Sequence, residues 1–216
     1  MIRTDIECYW HEVADMARAM DYDKLNDVAE TLLDCHQRGG TVFLVGNGGS
    51  AATASHFACD LAKGARGGTH PPFRVIALTD NMPLITAWSN DTHYERAFAE
   101  QLAPLVRAGD VVVLISASGN SANVLLAAQT ARVARATAVA LTGKTGGRLK
   151  QLADLTVRVP SDQIEQVEDA HVVIAHSVCV ALRARLASET VIDGAEREWP
   201  SGSDRVIDWY ASEAGS

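Results

Sequence analysis

The sequence predicts an α/β fold in which helices cover both faces of a parallel sheet. After residue 40, five short β-branched runs alternate with helical stretches, and these runs are almost continuously apolar. Such runs are typical of parallel strands buried on both faces. Two glycine- and serine-rich turns each follow a run and open a helical pattern, as ligand-binding loops at the carboxyl ends of parallel strands do.

The first forty residues predict a helical hairpin ahead of the sheet. Amphipathic patterns cover about 5–20 and 22–37, and neither contains proline. Helices in this position either cover the sheet or pack against another subunit. Exposure of Tyr9, Trp10 and Met16 would favour contact with another subunit.

The remaining elements follow the alternating pattern. The predicted strands are Thr41–Val45, Phe73–Leu78, Asp110–Ile115, Thr137–Leu141 and Leu155–Val159. Ser161 and Asp162 are suited to cap a long final helix that ends near Leu186, before a polar tail. We therefore predict a single domain over 1–216, with the hairpin in 1–38, the α/β core in 41–187 and the tail in 188–216.

Composition excludes several classes of function. The chain has 216 residues and a formal net charge of −8, which argues against nucleic acid as a ligand. No run approaches the roughly 18 apolar residues of a membrane span, so we expect a cytoplasmic protein that does not bind membranes. The four cysteines are widely spaced and form no CxxC pair, which indicates reduced core thiols and no disulfide framework.

Both glycine- and serine-rich turns have the chemistry of phosphate-binding loops. In Gly46-Asn47-Gly48-Gly49-Ser50 the glycines let the backbone approach a ligand, Ser50 offers a hydroxyl, and the next helix directs its N–H groups at an anion. This loop also matches a degenerate dinucleotide fingerprint, but the expected acid on a second strand is absent. In 116–121 three serines cluster at a helix start, which suits a phosphomonoester.

These motifs together resemble a known family. At 46–51, 56–58, 116–121 and 141–143 the chain resembles sugar isomerase (SIS) domain proteins, and most closely the sedoheptulose 7-phosphate isomerases, also called phosphoheptose isomerases. The resemblance runs from about Asp5 to Leu186. It implies a three-layer sandwich with a five-stranded parallel sheet, a homotetramer with active sites at subunit interfaces, and one zinc ion per subunit.

The resemblance also implies site residues. The implied substrate contacts are Asn47, Gly48, Gly49, Asp60, Asn90, Asp91, Ser116, Ala117, Ser118, Ser121 and Glu168, to which Ser50 is added for its hydroxyl. The implied zinc ligands are His56, Asp60, Glu168 and His176. At two of these positions the chain departs from the family, which has glutamate in place of Asp60 and glutamine in place of Glu168.

Helical spacing supports part of this ligand set independently. Residues four apart on a helix face the same way, so His56 and Asp60 are able to share one ion. Glu168 and His176 are eight apart, about 80° around an ideal helix, so they converge only if Glu168 lies in a distorted first turn. Asp169 is a geometric alternative to Glu168, and His171 could also face the site.

The implied reaction is an aldose–ketose isomerisation of sedoheptulose 7-phosphate to D-glycero-D-manno-heptose 7-phosphate through an enediolate that zinc stabilises. In this hypothesis Asp60 or Glu168 removes the carbon-bound proton and His176 moves protons to oxygen. The serines anchor the phosphate. Three alternatives remain open: another ketose phosphate such as an octulose phosphate, a non-catalytic SIS protein that bridges replication-initiation proteins, or a sugar-phosphate sensor.

Overall fold

A computed structural model describes residues 2–66 and 70–190, with side chains to residue 188. It contains the predicted five-stranded parallel sheet, in the order β2-β1-β3-β4-β5. The strands are β1 (Thr41–Val45), β2 (Arg74–Ala77), β3 (Val111–Ser116), β4 (Thr137–Thr142) and β5 (Leu155–Arg158). Each observed strand overlaps its predicted run, because local apolar content is enough to mark a strand that is buried on both faces.

Helices account for most of the remaining described chain. They are α1 (Ile2–Arg18), α2 (Tyr22–Gln37), α3 (Gly49–Cys59), α4 (Met82–Asp91), α5 (Ala97–Leu102), α6 (Ala122–Val133) and α7 (Ile164–Thr190). A π-helical turn, Asp60–Gly64, continues α3, and short 3₁₀ turns lie at Tyr94–Arg96 and Leu149–Gln151.

The strands divide the core into two layers by alternation of their side chains. On β1, Val42 and Leu44 pack on the side of α2, α3 and α7, whereas Phe43 and Val45 pack on the side of α5 and α6. All residues of β3, the central strand, are buried. The sheet is therefore covered on both faces, and its carboxyl edge is the place where ligand loops of an open parallel sheet gather.

Helix α7 is a core helix. Among the described residues one segment, Ile164–Ser188, has the length and mean hydropathy of a membrane-crossing helix, although no continuous apolar run of that length was expected. The high hydropathy reflects buried residues such as Val167, Ile174 and Leu182, which pack into the same core as α2 and α3. Glu168 and Asp169 interrupt the apolar run, so the pattern is that of a helix buried in protein.

Three details differ from the sequence-based expectations. Helix α7 continues to Thr190, past the predicted end near Leu186, and the rest of the predicted tail (191–216) lies outside the described residues. Of the three residues whose exposure would favour contact with another subunit, Trp10 is exposed, Tyr9 is half-buried and Met16 is buried. Cys8 and Cys59 are exposed free thiols rather than core residues, because helical faces and not residue type decide burial.

Candidate functional site

The serine-rich turn joins the end of β3 to the start of α6. Ser116 is the last residue of β3 and Ser121 is the N-cap residue of α6, and their hydroxyl oxygens lie 3.2 Å apart. Ser121 makes no side-chain capping bond to α6. Its hydroxyl and that of Ser116 are therefore able to bind a ligand, as expected for serines that suit a phosphomonoester.

The turn is held by a second loop, 143–148. The Oδ1 of Asn120 accepts a hydrogen bond from the N–H of Arg148 (3.0 Å), and the carbonyl of Gly119 accepts one from the N–H of Leu149 (2.9 Å). Ser118 is oriented inside the turn, where its Oγ accepts the N–H of Asn120 (3.1 Å). The turn is thus a preformed structure whose shape depends on the neighbouring loop.

A cavity of about 160 Å³ opens between the two glycine- and serine-rich turns. Its lining residues are Asn47, Ser50, Ile115, Ser116, Ala117, Ser118, Ser121, Ile164 and Glu168. The first turns of α3 and α6 both reach this cavity, and helix N-termini attract anions through their free N–H groups and dipoles. The arrangement suits a phosphate group.

His56, Asp60 and His176 form a second group of converging side chains. The Nε2 atoms of the two histidines are 2.7 Å apart, and Asp60 Oδ2 lies 3.3 Å from His56 Nε2 and 3.6 Å from His176 Nε2. His56 and Asp60 are four residues apart and lie on the same helical face, as predicted. His176 is contributed by α7, which packs against α3.

This group fits a metal ion. Ligand atoms about 2.0–2.1 Å from a tetrahedral zinc ion lie about 3.3 Å from one another. The distances from Asp60 Oδ2 to the two histidine nitrogens, 3.3 and 3.6 Å, are close to this value, whereas the nitrogens themselves, 2.7 Å apart, would have to separate slightly. Two imidazole nitrogens and one carboxylate oxygen form a donor set that zinc and related transition metals prefer. Side-chain exposures of 48%, 26% and 53% for His56, Asp60 and His176 leave room for further ligands.

The implied fourth ligand, Glu168, lies elsewhere. Among the described residues the group whose candidate ligand atoms all lie within 4.8 Å contains His56, Asp60 and His176 alone. The Glu168 carboxylate instead packs against Gly49, where an added Cβ would approach both carboxylate oxygens to 2.7 Å. Eight residues place Glu168 about 12 Å along α7 from His176, so it reaches the cavity lined by serines.

Two further residues of α7 have their own environments. The Asp169 carboxylate, the geometric alternative to Glu168, accepts a 2.6 Å hydrogen bond from the Tyr9 hydroxyl, which raises the Tyr9 pKa to about 12. His171 is buried, and neither ring nitrogen makes a hydrogen bond of normal geometry within the described residues. Burial lowers the His171 pKa to about 4, with a smaller opposing contribution from the Thr142 backbone.

The implied substrate contacts Asn90 and Asp91 lie at the end of α4. Both are exposed, and the Asn90 amide donates to the Asp91 carboxylate (2.9 Å). Neither is among the residues that line the cavity described above, so their role stays a prediction. Three residues after Asp91, the Tyr94 hydroxyl donates a hydrogen bond to Oδ1 of Asn47 (2.7 Å), and Asn47 lines the cavity.

Sequence reasoning missed Tyr94 and Asn123, which both contact Asn47. Asn123 is buried in the first turn of α6, between apolar residues. A buried amide requires hydrogen-bond partners, so an asparagine within the apolar pattern of α6 was the one sign in the sequence that Asn123 binds another polar group.

Comparison with known proteins identifies the family. The SIS domain model matches residues 8–143. A phosphoheptose isomerase of Roseiflexus is 41% identical over 162 residues, which are 75% of this chain and 82% of that protein. This chain belongs to the phosphoheptose isomerase family of SIS-domain proteins.

Solved structures agree with this assignment. The phosphoheptose isomerase from Neisseria gonorrhoeae superposes with a TM-score of 0.79 at 30% identity, covering 85% of this chain and all of that chain. The phosphoheptose isomerase from Francisella tularensis gives a TM-score of 0.78 at 31% identity, with 85% and 99% coverage. Both the resemblance and the fold predicted from the sequence are confirmed.

Proposed function

We propose that this phosphoheptose isomerase family member converts sedoheptulose 7-phosphate to D-glycero-D-manno-heptose 7-phosphate. One observation carries the proposal: α3 and α7 each contribute to both parts of the site. Helix α3 brings Ser50 to the cavity and His56 to the candidate metal group, and α7 brings Glu168 to the cavity and His176 to the metal group. The spacing along the helices is about 9–12 Å, a span that a linear sugar phosphate can bridge.

The serine-rich turn is proposed to bind the phosphate. Ser116, Ser118 and Ser121 present hydroxyls beside the first turn of α6, where a dianion is stabilised by charge-assisted hydrogen bonds. The sugar then extends from this end of the cavity toward the histidines. Gly48, Gly49 and Ala117 contribute backbone, and Asn90 and Asp91 are proposed to bind sugar hydroxyls.

We propose that the metal group holds one zinc ion per subunit. His56, Asp60 and His176 would bind it. The resemblance implies Glu168 as a fourth ligand, but the carboxylate of this chain's Glu168 packs against Gly49, outside that group. Bound zinc supplies a Lewis acid that stabilises negative charge on a substrate oxygen. The protein residues hold the sugar so that its C1 and C2 lie within reach of a carboxylate and an imidazole.

Proton transfer requires a base, for which Asp60 and Glu168 are the two candidates. His176 would carry protons to and from oxygen. Asp60 is shorter by one methylene than the glutamate usual in the family, and a misplacement of about 1 Å can lower a rate about a hundredfold. Glu168 lines the cavity about 12 Å along α7 from His176, so it acts as the base only if the sugar is bound with C1 and C2 at that end of the site.

Two amide replacements, Asp60→Asn and Glu168→Gln, distinguish these roles when turnover and zinc content are both measured. The base is the residue whose replacement abolishes exchange of the substrate C–H proton with D₂O while zinc remains bound. Full turnover in both variants would disprove a carboxylate base. Parallel loss of zinc and turnover would assign that residue to metal binding.

We also propose a cytoplasmic homotetramer with active sites at its interfaces. Helix α1 exposes Ile2, Ile6 and Trp10 at four-residue spacing, which places them on one face. The partly exposed metal group is consistent with completion by a second subunit. Light scattering tests the tetramer, and Trp10→Glu is expected to shift it toward smaller species.

The central experiment is turnover of sedoheptulose 7-phosphate with and without added zinc, followed by NMR of the sugar. An aldoheptose phosphate product, together with zinc near one per chain, supports the proposal. Metal binding without turnover would indicate another substrate, such as an octulose phosphate. Absence of both would favour a non-catalytic role.

A further inference from the structure

We infer that Tyr94 and Asn123 are positioning residues that orient the Asn47 side-chain amide, so that it offers the cavity an N–H donor for a sugar oxygen. The choice of sugar phosphate as ligand rests on the proposed function. Among the described residues, hydrogen bonds from Tyr94 and Asn123 satisfy the Asn47 side-chain amide except for one N–H.

The network begins with Asn123, which is 2% exposed. Its Oδ1 accepts the backbone N–H of Val124 (2.9 Å), which orients the Asn123 amide. The same oxygen accepts from Asn47 Nδ2 (2.8 Å), and Asn123 Nδ2 donates back to Asn47 Oδ1 (2.8 Å). The two amides therefore form a reciprocal pair between the first loop and α6.

Tyr94 completes the orientation of Asn47. Its hydroxyl donates to Asn47 Oδ1 (2.7 Å), so this oxygen already accepts two hydrogen bonds, one for each lone pair. The Nδ2 group donates one of its two hydrogens to Asn123. Its other N–H has no partner among the described residues, and Asn47 lines the cavity together with Ser50 and Ser116.

These hydrogen bonds fix which side of the Asn47 amide faces the cavity, and so which ligand atoms it can bind. A rotated Asn47 amide would place its Nδ2 against Asn123 Nδ2, which only donates, and its Oδ1 against Asn123 Oδ1, which only accepts, so the reciprocal pair would be lost and buried groups of Asn123 left unpaired. The Asn47 amide is therefore held as a donor, and it selects ligands that present an acceptor oxygen. Sedoheptulose 7-phosphate has such oxygens along its chain, whereas inorganic phosphate has them only at the end that the serines bind.

The test uses Tyr94→Phe, which removes one hydroxyl from an exposed ring. Affinities for sedoheptulose 7-phosphate and for inorganic phosphate are measured by calorimetry on the metal-loaded protein. Tyr22→Phe is the matched control, because the Tyr22 hydroxyl also makes one hydrogen bond, to the Ala17 carbonyl (2.9 Å) at the junction of α1 and α2.

We expect Tyr94→Phe to weaken sedoheptulose 7-phosphate binding about fivefold, as for one lost hydrogen bond, and to leave phosphate binding within about twofold. Tyr22→Phe leaves both unchanged. In an Asn47→Ala background the Tyr94→Phe change has no further effect, because Tyr94 acts through the amide. This loss of effect is a result that general destabilisation does not produce.

Equal weakening of both ligands, or an undiminished Tyr94→Phe effect in the Asn47→Ala background, would overturn the inference. So would wild-type protein that binds inorganic phosphate as tightly as the sugar phosphate. Binding is measured independently of turnover. A wild-type protein that binds sedoheptulose 7-phosphate selectively but does not isomerise it would contradict the proposed function alone, and the variant affinities would still decide the role of Tyr94.

Discussion

At Gly119 the backbone of the serine-rich turn packs against the backbone of its supporting loop, so Gly119→Ala tests whether the turn must be preformed. The residue has φ +62°, and an added Cβ would contact the Gly146 carbonyl oxygen, lie 2.6 Å from the Gly146 carbonyl carbon and lie 3.0 Å from Gly147 N. These are backbone atoms, so no side-chain rotation relieves the clash. The two loops must move apart.

Gly39→Ala is the matched control. Gly39 also has a positive φ, +71°, but no atom of the described residues lies within 4 Å of its added Cβ. The control therefore carries only the cost of a left-handed alanine, about 1 kcal/mol. Gly119→Ala carries that cost plus an overpacking cost of about 1–3 kcal/mol.

Thermal unfolding gives the comparison directly. For a chain of this size 1 kcal/mol corresponds to about 2–4 °C, so we expect Gly39→Ala to lower Tm by about 3 °C and Gly119→Ala by about 6–12 °C. Phosphate affinity should fall only in Gly119→Ala, because only there are Ser116 and Ser121 displaced. Equal losses of stability in the two variants, with phosphate affinity retained in both, would refute the reasoning.

Three further predictions concern single side chains. The His171 pKa is about 4 in the folded protein and 6.5 is its ordinary value, so unfolding takes up a proton at this residue between these pH values. The His171 contribution to the free energy of unfolding should be constant above about pH 6.5 and fall by up to about 1.4 kcal/mol per pH unit as pH falls toward 4, so urea denaturation should show this part of the pH dependence in wild type and not in His171→Leu. Burial raises the pKa of Cys35 to about 11 and of Cys179 to about 12. At pH 8 a thiol reagent should therefore label the exposed Cys59 in the native protein, but Cys35 and Cys179 only after unfolding; labelling of Cys35 or Cys179 in the native protein would contradict their burial. In a metal titration His56→Ala should abolish stoichiometric zinc binding, and unchanged binding would refute the site. His93 is an exposed histidine outside the metal group, so the control His93→Ala should retain zinc binding.

Local sequence patterns were sufficient for most of the fold. The α2 limits, Tyr22–Gln37, agree with the amphipathic pattern, and Asp21 caps that helix by accepting the N–H of Lys24 (3.1 Å). All five strands were found because each is a short apolar run between turn residues. The pairing of His56 with Asp60 was also predictable, since four residues make one helical turn.

Contacts between segments far apart in the sequence could not be predicted from local patterns. Asp169 lies next to Glu168 in sequence, yet it binds Tyr9 of α1, 160 residues away. The burial of Met16 and the exposure of Cys59 depend on which side of each helix meets the sheet. The hydrogen bonds of Asn47 with Asn123 and Tyr94 connect the first loop to α6 and to the 3₁₀ turn at Tyr94–Arg96, and no local sequence pattern predicts that these segments meet.

The sequence by itself determined the fold class, the two ligand loops and the family, because glycines, serines and apolar runs act over a few residues through backbone conformation and hydrogen bonding. The resemblance implied one ligand set of His56, Asp60, Glu168 and His176, and the tertiary structure divided it: His176 meets His56 and Asp60, whereas Glu168 packs against Gly49 in the cavity. The physical reason is the packing of α7 on α3: the relative position of two helices depends on all the buried side chains between them.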